Sequence, residues 1–360
     1  MKKANVLHFV YNLDKFSGAA YQAKDLVMWL RNNGSKNGHS IYNRSSGCNE
    51  KEYFEDGIRV IVSSGNNISH LIRTLLVIPR YDCIHMHGYN FTVLLLSVIF
   101  RKKILLKTTL LSVDDFESLV KKKYLGLINK FLISKVSINN PLSSSVSAIN
   151  KKYISSDKLR LIPNSISIDK KFFCSSMEKE NLFLIVGAVT DRKRTLESIK
   201  YYIDNYSHLK GAKLEVIGPY SEGIKELSGS YFDACMRLSK ESGCNIRFLG
   251  KVNKKEVFNR MLKAKALLFF SKFEGFGSVM IEAQSCNCVP IVTRLGGIES
   301  EIITNGKNGY IIDDFSDVIT IEEIESIIID ESMPKIAHKK YNPDVVFRHY
   351  ELIHNDLIGN

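Results

Sequence analysis

No apolar run in this chain is long enough to cross a bilayer: the longest, FTVLLLSVIF at 91–100, is about half of what a spanning helix needs and reads as a buried helix. The amino terminus, MKKANVLHFVYNLDKF, has two lysines and a short apolar patch but no extended h-region or small-residue cleavage site, so it reads as a first β-strand. Seven cysteines, odd in number and scattered, argue against a disulfide framework and for a reducing cytoplasm. Cys286 and Cys288 lack a second Cys/His pair at zinc spacing, and are read as small buried residues on the helix that carries Glu282. There is no GxxxxGK[ST], and FEGFGSVM fails GxGxxG because Met280 takes the last glycine's place, which weakens ATPase and dehydrogenase readings. Repeats and low-complexity tracts are absent too.

What is present is an ordinary globular composition, 44% hydrophobic and 24% charged over 360 residues, a length that suits two domains. The net charge of +12 is lopsided. Residues 1–165 hold 24 Lys and Arg against 11 Asp and Glu, while residues 166–360 hold 26 against 27. The excess therefore belongs to the first half, where it favours an anionic partner or simply solubility. Apolar strands alternate with helical periods: strands at 5–11, 57–63, 81–86 and 103–108 and a helix at 21–33 come first. After LIPNSIS the pattern restarts with NLFLIVGAV, KLEVIG, NIRFLG, ALLFFSK and VPIVTR. Two α/β domains with parallel sheets follow from this, joined near 161–173 where Pro163 and polar residues break the periodicity.

The passage from 264 to 301 is the most informative. An apolar strand ends in the turn FEGFG, and a helix begins at SVMIEAQSC. Gly275 and Gly277 would leave backbone N–H groups and the positive end of the helix dipole open to an anion, with Phe276 and Ser278 beside them. Glu274 sits on the turn. Glu282 lies about one turn into the helix, among Val279, Met280, Ile281 and Ala283, where a carboxylate needs a partner or a wet crevice. A glutamate on a helix is more often a solvated side chain, and spacing alone leaves that alternative open. A diphosphate also needs cations, and TDRKR supplies Arg192, Lys193 and Arg194; an exposed basic turn is the bland equivalent.

The E-x7-E pair Glu274 and Glu282, with LGGIESEII and NGKNG after it, and FSGAAYQAKDL, DCIHMHG, LIPNSIS, VGAVTDRKR and LEVIGP in order before it, resembles the retaining, nucleotide-sugar-dependent glycosyltransferases of family 4. The resemblance spans nearly the whole chain. It implies a GT-B architecture: two facing Rossmann-like domains with an interdomain cleft, residues 1–165 plus 342–360 forming the acceptor side and residues 166–341 binding the nucleotide sugar. It further implies that Glu274 contacts donor-sugar hydroxyls and that Glu282 binds the ribose. Lys193 would neutralise the departing diphosphate, while Gly275, Phe276 and Gly277 would present N–H groups near the phosphates, and Gly18 and Ala19 would let bare backbone approach the reacting groups. Two departures stand out. Where the family has a second basic residue after the first loop glycine, this chain has Ala188, so Arg192 is assigned that part. Where the family has a histidine after a later strand, this chain reads KTTLLSVDDF, and Asp114 or Asp115 is the available base.

His85 and His87 alternate on a strand, so only one is expected to face the cleft; His87, next to Gly88, is the candidate, against a structural histidine. No DxD lies in a suitable loop, and no metal or cofactor is expected. The partners implied are a nucleoside-diphosphate sugar, UDP favoured, and a lipid-linked or growing saccharide of the O-antigen or capsule type. The segment at 117–135, apolar at helical steps and rich in lysine, reads as a basic amphipathic helix for peripheral contact with the inner face of the cytoplasmic membrane, or as a core-facing helix with a solvated side. Little aromatic interleaving accompanies the lysines, so nucleic acid is not expected. The rival readings are a GT-B epimerase or hydrolase, and a non-enzymatic basic scaffold.

Overall fold

The structure, a computed structural model, describes residues 4–13, 18–46, 48–166, 178–220, 228–330 and 332–359. The chain forms two compact units, Met1–Ser167 with Tyr341–Asn360 and Ile168–Lys340. Cys174 and part of the joining segment lie outside the described residues.

In the first unit, β1 (Asn5–Tyr11), β2 (Gly38–Ser45), β3 (Lys51–Glu55), β4 (Ile58–Ser64), β5 (Cys83–Met86), β6 (Lys103–Thr108) and β7 (Ile138–Pro141) form one sheet. Their spatial order is β3-β4-β2-β1-β5-β6-β7. All pairs are parallel except the β3–β4 hairpin, whose turn residues Asp56 and Gly57 both have positive φ, the twist a tight hairpin needs. The run at 91–100 does form a helix, Phe91–Ile99, set off by the Asn90 side chain, which accepts from the Val93 N–H. The last helix, Pro343–Ile358, packs on the first, Gly18–Asn32. Val346, Phe347, Tyr350 and Ile353 share a core with Leu26, Leu30, Leu105 and Ile162, and each such side chain taken from water contributes about 1.5–3 kcal/mol. The Trp29 indole N–H donates to Asp344 (2.7 Å) and the Tyr350 hydroxyl to Asn140 (2.6 Å), which fixes the helix's register on the sheet.

In the second unit, β8 (Glu180–Val186), β9 (Lys213–Ile217), β10 (Ile246–Gly250), β11 (Ala264–Phe269), β12 (Val289–Thr293) and β13 (Tyr310–Ile312) make a parallel sheet in the order β10-β9-β8-β11-β12-β13. Its central strands LFLIV, ALLF and VPIVT are buried on both faces, which explains their unbroken apolar runs. The chain moves outward from β8 through β9 to β10, then returns to β11 on the other side of β8. The crossovers that follow β8 and β11 therefore run to opposite sides, and a parallel sheet opens its ligand crevice at such a reversal.

One expected helix is two. Residues 117–135 hold a short helix Phe116–Val120 and a second, Gly126–Ser134. A Cβ at Gly126 would stand 2.1 Å from the Val120 carbonyl oxygen, so the chain turns there only because that residue is glycine.

Candidate functional site

Both loops flanking the β8/β11 reversal carry charged side chains that meet. After β8 the chain passes Gly187 to Thr190, whose hydroxyl accepts from the Lys193 N–H (3.3 Å) and starts a single 3-10 turn, Asp191–Lys193. Bare backbone is required nearby: a Cβ on Gly218 would lie 1.8 Å from the Gly187 carbonyl oxygen, and one on Gly187 would lie 3.3 Å from the Lys193 Cε. The ends of β8 and β9 thus close on each other, and the lysine stem lies across them.

After β11, Glu274 reaches back. Its Oε1 lies 2.5 Å from the Lys193 Nζ and 3.1 Å from the Arg192 Nη1. The Lys272 N–H donates to the Arg192 carbonyl (2.8 Å), which ties the two loops at the backbone. Aromatic rings support the cations: Lys193 Nζ is 4.8 Å from the centre of Phe269, and the Arg192 guanidinium 5.6 Å from that of Phe273. With side-chain exposures of 13% for Glu274 and 16% for Lys193, the pair is mostly withdrawn from water, where charges act more strongly than at the surface. Two cations share one carboxylate, which leaves a net positive focus.

Beside it, Gly277 has φ 70° and precedes the helix Ser278–Ser285 with no side-chain cap bond. A Cβ there would meet the Met280 methyl at 2.3 Å. Gly275, Phe276 and Ser278 occupy the same turn and helix start, with Phe276 buried. Glu282 is on the second turn, 3.7 Å from the Lys254 Nζ, and burial raises its carboxyl pKa against the pull of that lysine. Lys254 is a partner the sequence did not reveal, because it comes from the separate helix Lys254–Lys263. Glu299, from the LGGIESEII stretch, is consumed by its own loop: its carboxylate accepts from the Leu295 and Gly297 N–H groups, both at 2.9 Å. Cys286 and Cys288 are buried as expected, but both fall beyond the end of the helix.

The remaining candidates belong to the first unit. Gly18 and Ala19 open its first helix and are exposed. The premise that His85 and His87 alternate, so that only one faces the cleft, is corrected: residues two apart on a strand share a face, and the two rings stack with centroids 3.9 Å apart. Both are buried in a cluster with His8, His39 and His354. Asp114 as a free base is also corrected. Its carboxylate accepts from the Thr109 and Leu110 N–H groups and the Thr109 hydroxyl at 2.7–3.0 Å, which closes the loop after β6. Asp115 caps the helix Phe116–Val120, accepting from the Ser118 N–H and hydroxyl.

Paired α/β units with parallel sheets, one carrying a cation-carboxylate cluster beside a glycine-led helix at its reversal, define a GT-B-type fold. Residues 167–342 match the family profile "Glycosyl transferases group 1". That part of the chain belongs to the group 1 glycosyltransferases. Among relatives, the chain is similar to the Salmonella typhimurium O-antigen chain mannosyltransferase RfbU, at 26% identity over 71% of this chain and 73% of that protein. It is likewise similar to a Campylobacter jejuni α-1,4-N-acetyl-D-galactosaminyltransferase whose name gives a diNAcBac-PP-undecaprenol saccharide, at 26% identity over 65% and 62%. Among solved structures it superposes on Anabaena HepE in complex with UDP and glucose, with TM-score 0.69, 14% identity, and coverage of 98% and 100%.

Proposed function

We propose that the chain is a retaining, metal-independent glycosyltransferase that moves a sugar from a nucleoside diphosphate, UDP favoured, to a lipid-linked or growing polysaccharide acceptor in O-antigen or capsule-type synthesis. The observation that carries this is the convergence of Lys193, Arg192 and Glu274 at the β8/β11 reversal. Lys193 and Arg192 face the diphosphate and take up the charge that builds on it as the glycosidic bond breaks, so the leaving group is stabilised without a metal. Glu274 holds the two cations convergent until the donor arrives and then also accepts from donor-sugar hydroxyls. Glu282, its proton affinity raised by burial, binds the ribose. Gly275, Phe276, Gly277 and Ser278 present backbone near the phosphates. Relatives with named mannosyl and N-acetylgalactosaminyl transfer, one to an undecaprenyl-diphosphate saccharide, support the acceptor class.

Thermal unfolding with UDP, GDP, ADP and CMP tests the donor reading. One nucleoside diphosphate at 100 times its dissociation constant adds ~2.7 kcal/mol, a shift of about 5–10 °C in the transition of the unit that binds it. Glu282→Gln weakens that shift. No shift with any of the four would sink the proposal.

Contact with an anionic membrane is part of this reading. On and before the helix Gly126–Ser134, Tyr124, Leu127 and Phe131 are exposed, Leu127 at 86%, beside exposed Lys121, Lys122, Lys123 and Lys130. Among the described residues no helix is long and apolar enough to cross a membrane, so attachment through these residues is at the surface, each lysine near anionic lipid contributing about 1 kcal/mol. Full-length protein floats with phosphatidylglycerol vesicles at low salt and is released at high salt; protein that stays at the bottom of the gradient at low salt removes the membrane contact.

A further inference from the structure

At the carboxyl ends of β1, β2 and β5 the first unit holds an open cavity of about 620 Å³ that includes Tyr11, Arg44, Ile68, Leu71, Tyr89 and Lys122 in its lining. Its aromatic floor is locked. Asn90 donates to the Tyr11 hydroxyl (2.7 Å), which donates to the Tyr89 carbonyl (3.1 Å), and the Tyr89 hydroxyl donates to Asn129 (2.6 Å). Two cations stand over this floor. The Arg44 guanidinium is fixed by two neutral acceptors, the Gly65 carbonyl (3.0 Å) and the Asn67 side-chain oxygen (2.6 Å). The Lys122 Nζ lies 5.3 Å from the centre of the Tyr89 ring. Among the described residues neither cation is paired with a carboxylate. A rigid guanidinium fork and a mobile ammonium, both without a counter-ion, are the donor set that a diphosphate fits.

The cavity does not end in a polar rim. Ile68, Leu71, Ile72 and Leu75 on the helix Asn67–Val77 are exposed, Ile68 at 71% and Ile72 at 55%. Their spacing puts them on one face, a stripe running about 10 Å along the helix from the cavity mouth. Solvent-facing isoleucine and leucine at four such positions form a contiguous apolar strip, which marks a binding surface rather than scattered exposure. Cations with an apolar track leading from them match neither a free sugar phosphate nor a polynucleotide. They match a diphosphate esterified to an isoprenoid.

We propose that this cavity seats the prenyl-diphosphate end of the acceptor: Arg44 and Lys122 take the diphosphate, and the Ile68–Leu75 stripe takes the first isoprene units. The inference rests on the reading of the acceptor as lipid-linked and assigns it a site. It also separates the acceptor's own diphosphate from the headgroups of the surrounding bilayer, which the exposed Leu127 and Phe131 would meet.

The test is titration of the full-length protein with farnesyl diphosphate, farnesyl monophosphate, inorganic pyrophosphate and phosphatidylglycerol vesicles, with the UDP-induced thermal shift measured in every variant. Farnesyl diphosphate should bind at least tenfold more tightly than the monophosphate. Lys122→Ala, at an exposed position that does not endanger folding, should weaken it about tenfold, and Arg44→Ala with Lys122→Ala about a hundredfold. Ile68→Ser with Ile72→Ser should weaken farnesyl diphosphate while leaving pyrophosphate unchanged. The UDP shift should survive all of these. Farnesyl diphosphate affinity indifferent to Lys122 and Arg44, or binding of vesicles alone, overturns the site. Loss of the UDP shift in the unaltered protein with farnesyl diphosphate still bound overturns the donor reading instead.

Discussion

Lys193→Ala lowers kcat/KM about a thousandfold, with the loss in kcat rather than in KM. A preorganised charge aimed at a developing oxyanion contributes about 10²–10³ in rate in acyl-transfer sites, and this lysine is better placed than most. Its ammonium is packed against Phe269 and pinned by Glu274 at 2.5 Å, so in the proposed role it needs little reorganisation as charge builds on the leaving diphosphate. A thousandfold is ~4 kcal/mol of lost transition-state stabilisation. Lys193→Arg restores charge but not reach, and recovers only part of the loss. Stability falls by no more than about 1 kcal/mol, because Glu274 keeps Arg192 as a partner. Steady-state kinetics with the preferred donor and a circular-dichroism melt check both halves; a loss under tenfold would mean that the lysine only maintains the loop.

Acid unfolds the first unit at a pH where the second still stands. Burial keeps His8, His85 and His87 far below the ordinary imidazole range, with neighbouring histidines adding to the effect, and lowers His70 to about 4 and His354 to about 3. These rings are neutral in the native state, whereas in the unfolded chain they take protons near pH 6.5. The unfolded state therefore binds more protons as pH falls below about 6.5. The histidine contribution is complete above that value and drains away down to the folded pKa values of about 4 and about 3. Each ring contributes about 1.4 kcal/mol per pH unit, and five together up to ~7. A domain with 5–15 kcal/mol in hand reaches its midpoint between about pH 4.3 and 6. Amide hydrogen exchange across that range should show protection lost in β1, β5 and the last helix first. His354→Gln should flatten the dependence by about one proton. Protection unchanged at pH 4.5 would refute the account.

Sequence and structure agree most where burial is apolar. Strands β8, β9, β11 and β12 were legible as short Val/Ile/Leu/Phe runs because a doubly covered parallel sheet demands them. Strands β2, GHSIYNRS, and β7, INNP, were not. Their buried positions hold Asn43, Asn139 and Asn140, whose polarity mimics a loop until the partners are visible: Asn139 donates to the Leu106 carbonyl, and Asn140 to those of Arg160 and Ile162. The β3–β4 hairpin hid behind charged Lys51, Glu52 and Glu55 on an edge strand.

For the site, Glu274, Lys193 and Arg192 were legible as residue types next to strand ends. That the carboxylate grips both cations was not, since it joins loops about eighty residues apart. Asp114 failed as a free base for the same reason: a loop aspartate looks solvated in sequence, and only the structure shows four hydrogen bonds already made to it. The histidine cluster likewise gathers side chains from β1, β2, β5 and the last helix, and no local spacing announces it.

The helix Pro343–Ile358 follows the whole second unit in the chain yet belongs to the first. On the ribosome, the seam of Leu26, Leu30 and Leu105 stays wet while all of the second unit is synthesised, so residues 168–340 are complete before the first unit closes its last seam. For that interval the nascent chain offers chaperones a sticky furrow, and a nonsense change between Tyr341 and Val346 yields a polypeptide whose second unit is finished and whose first is left open to aggregation.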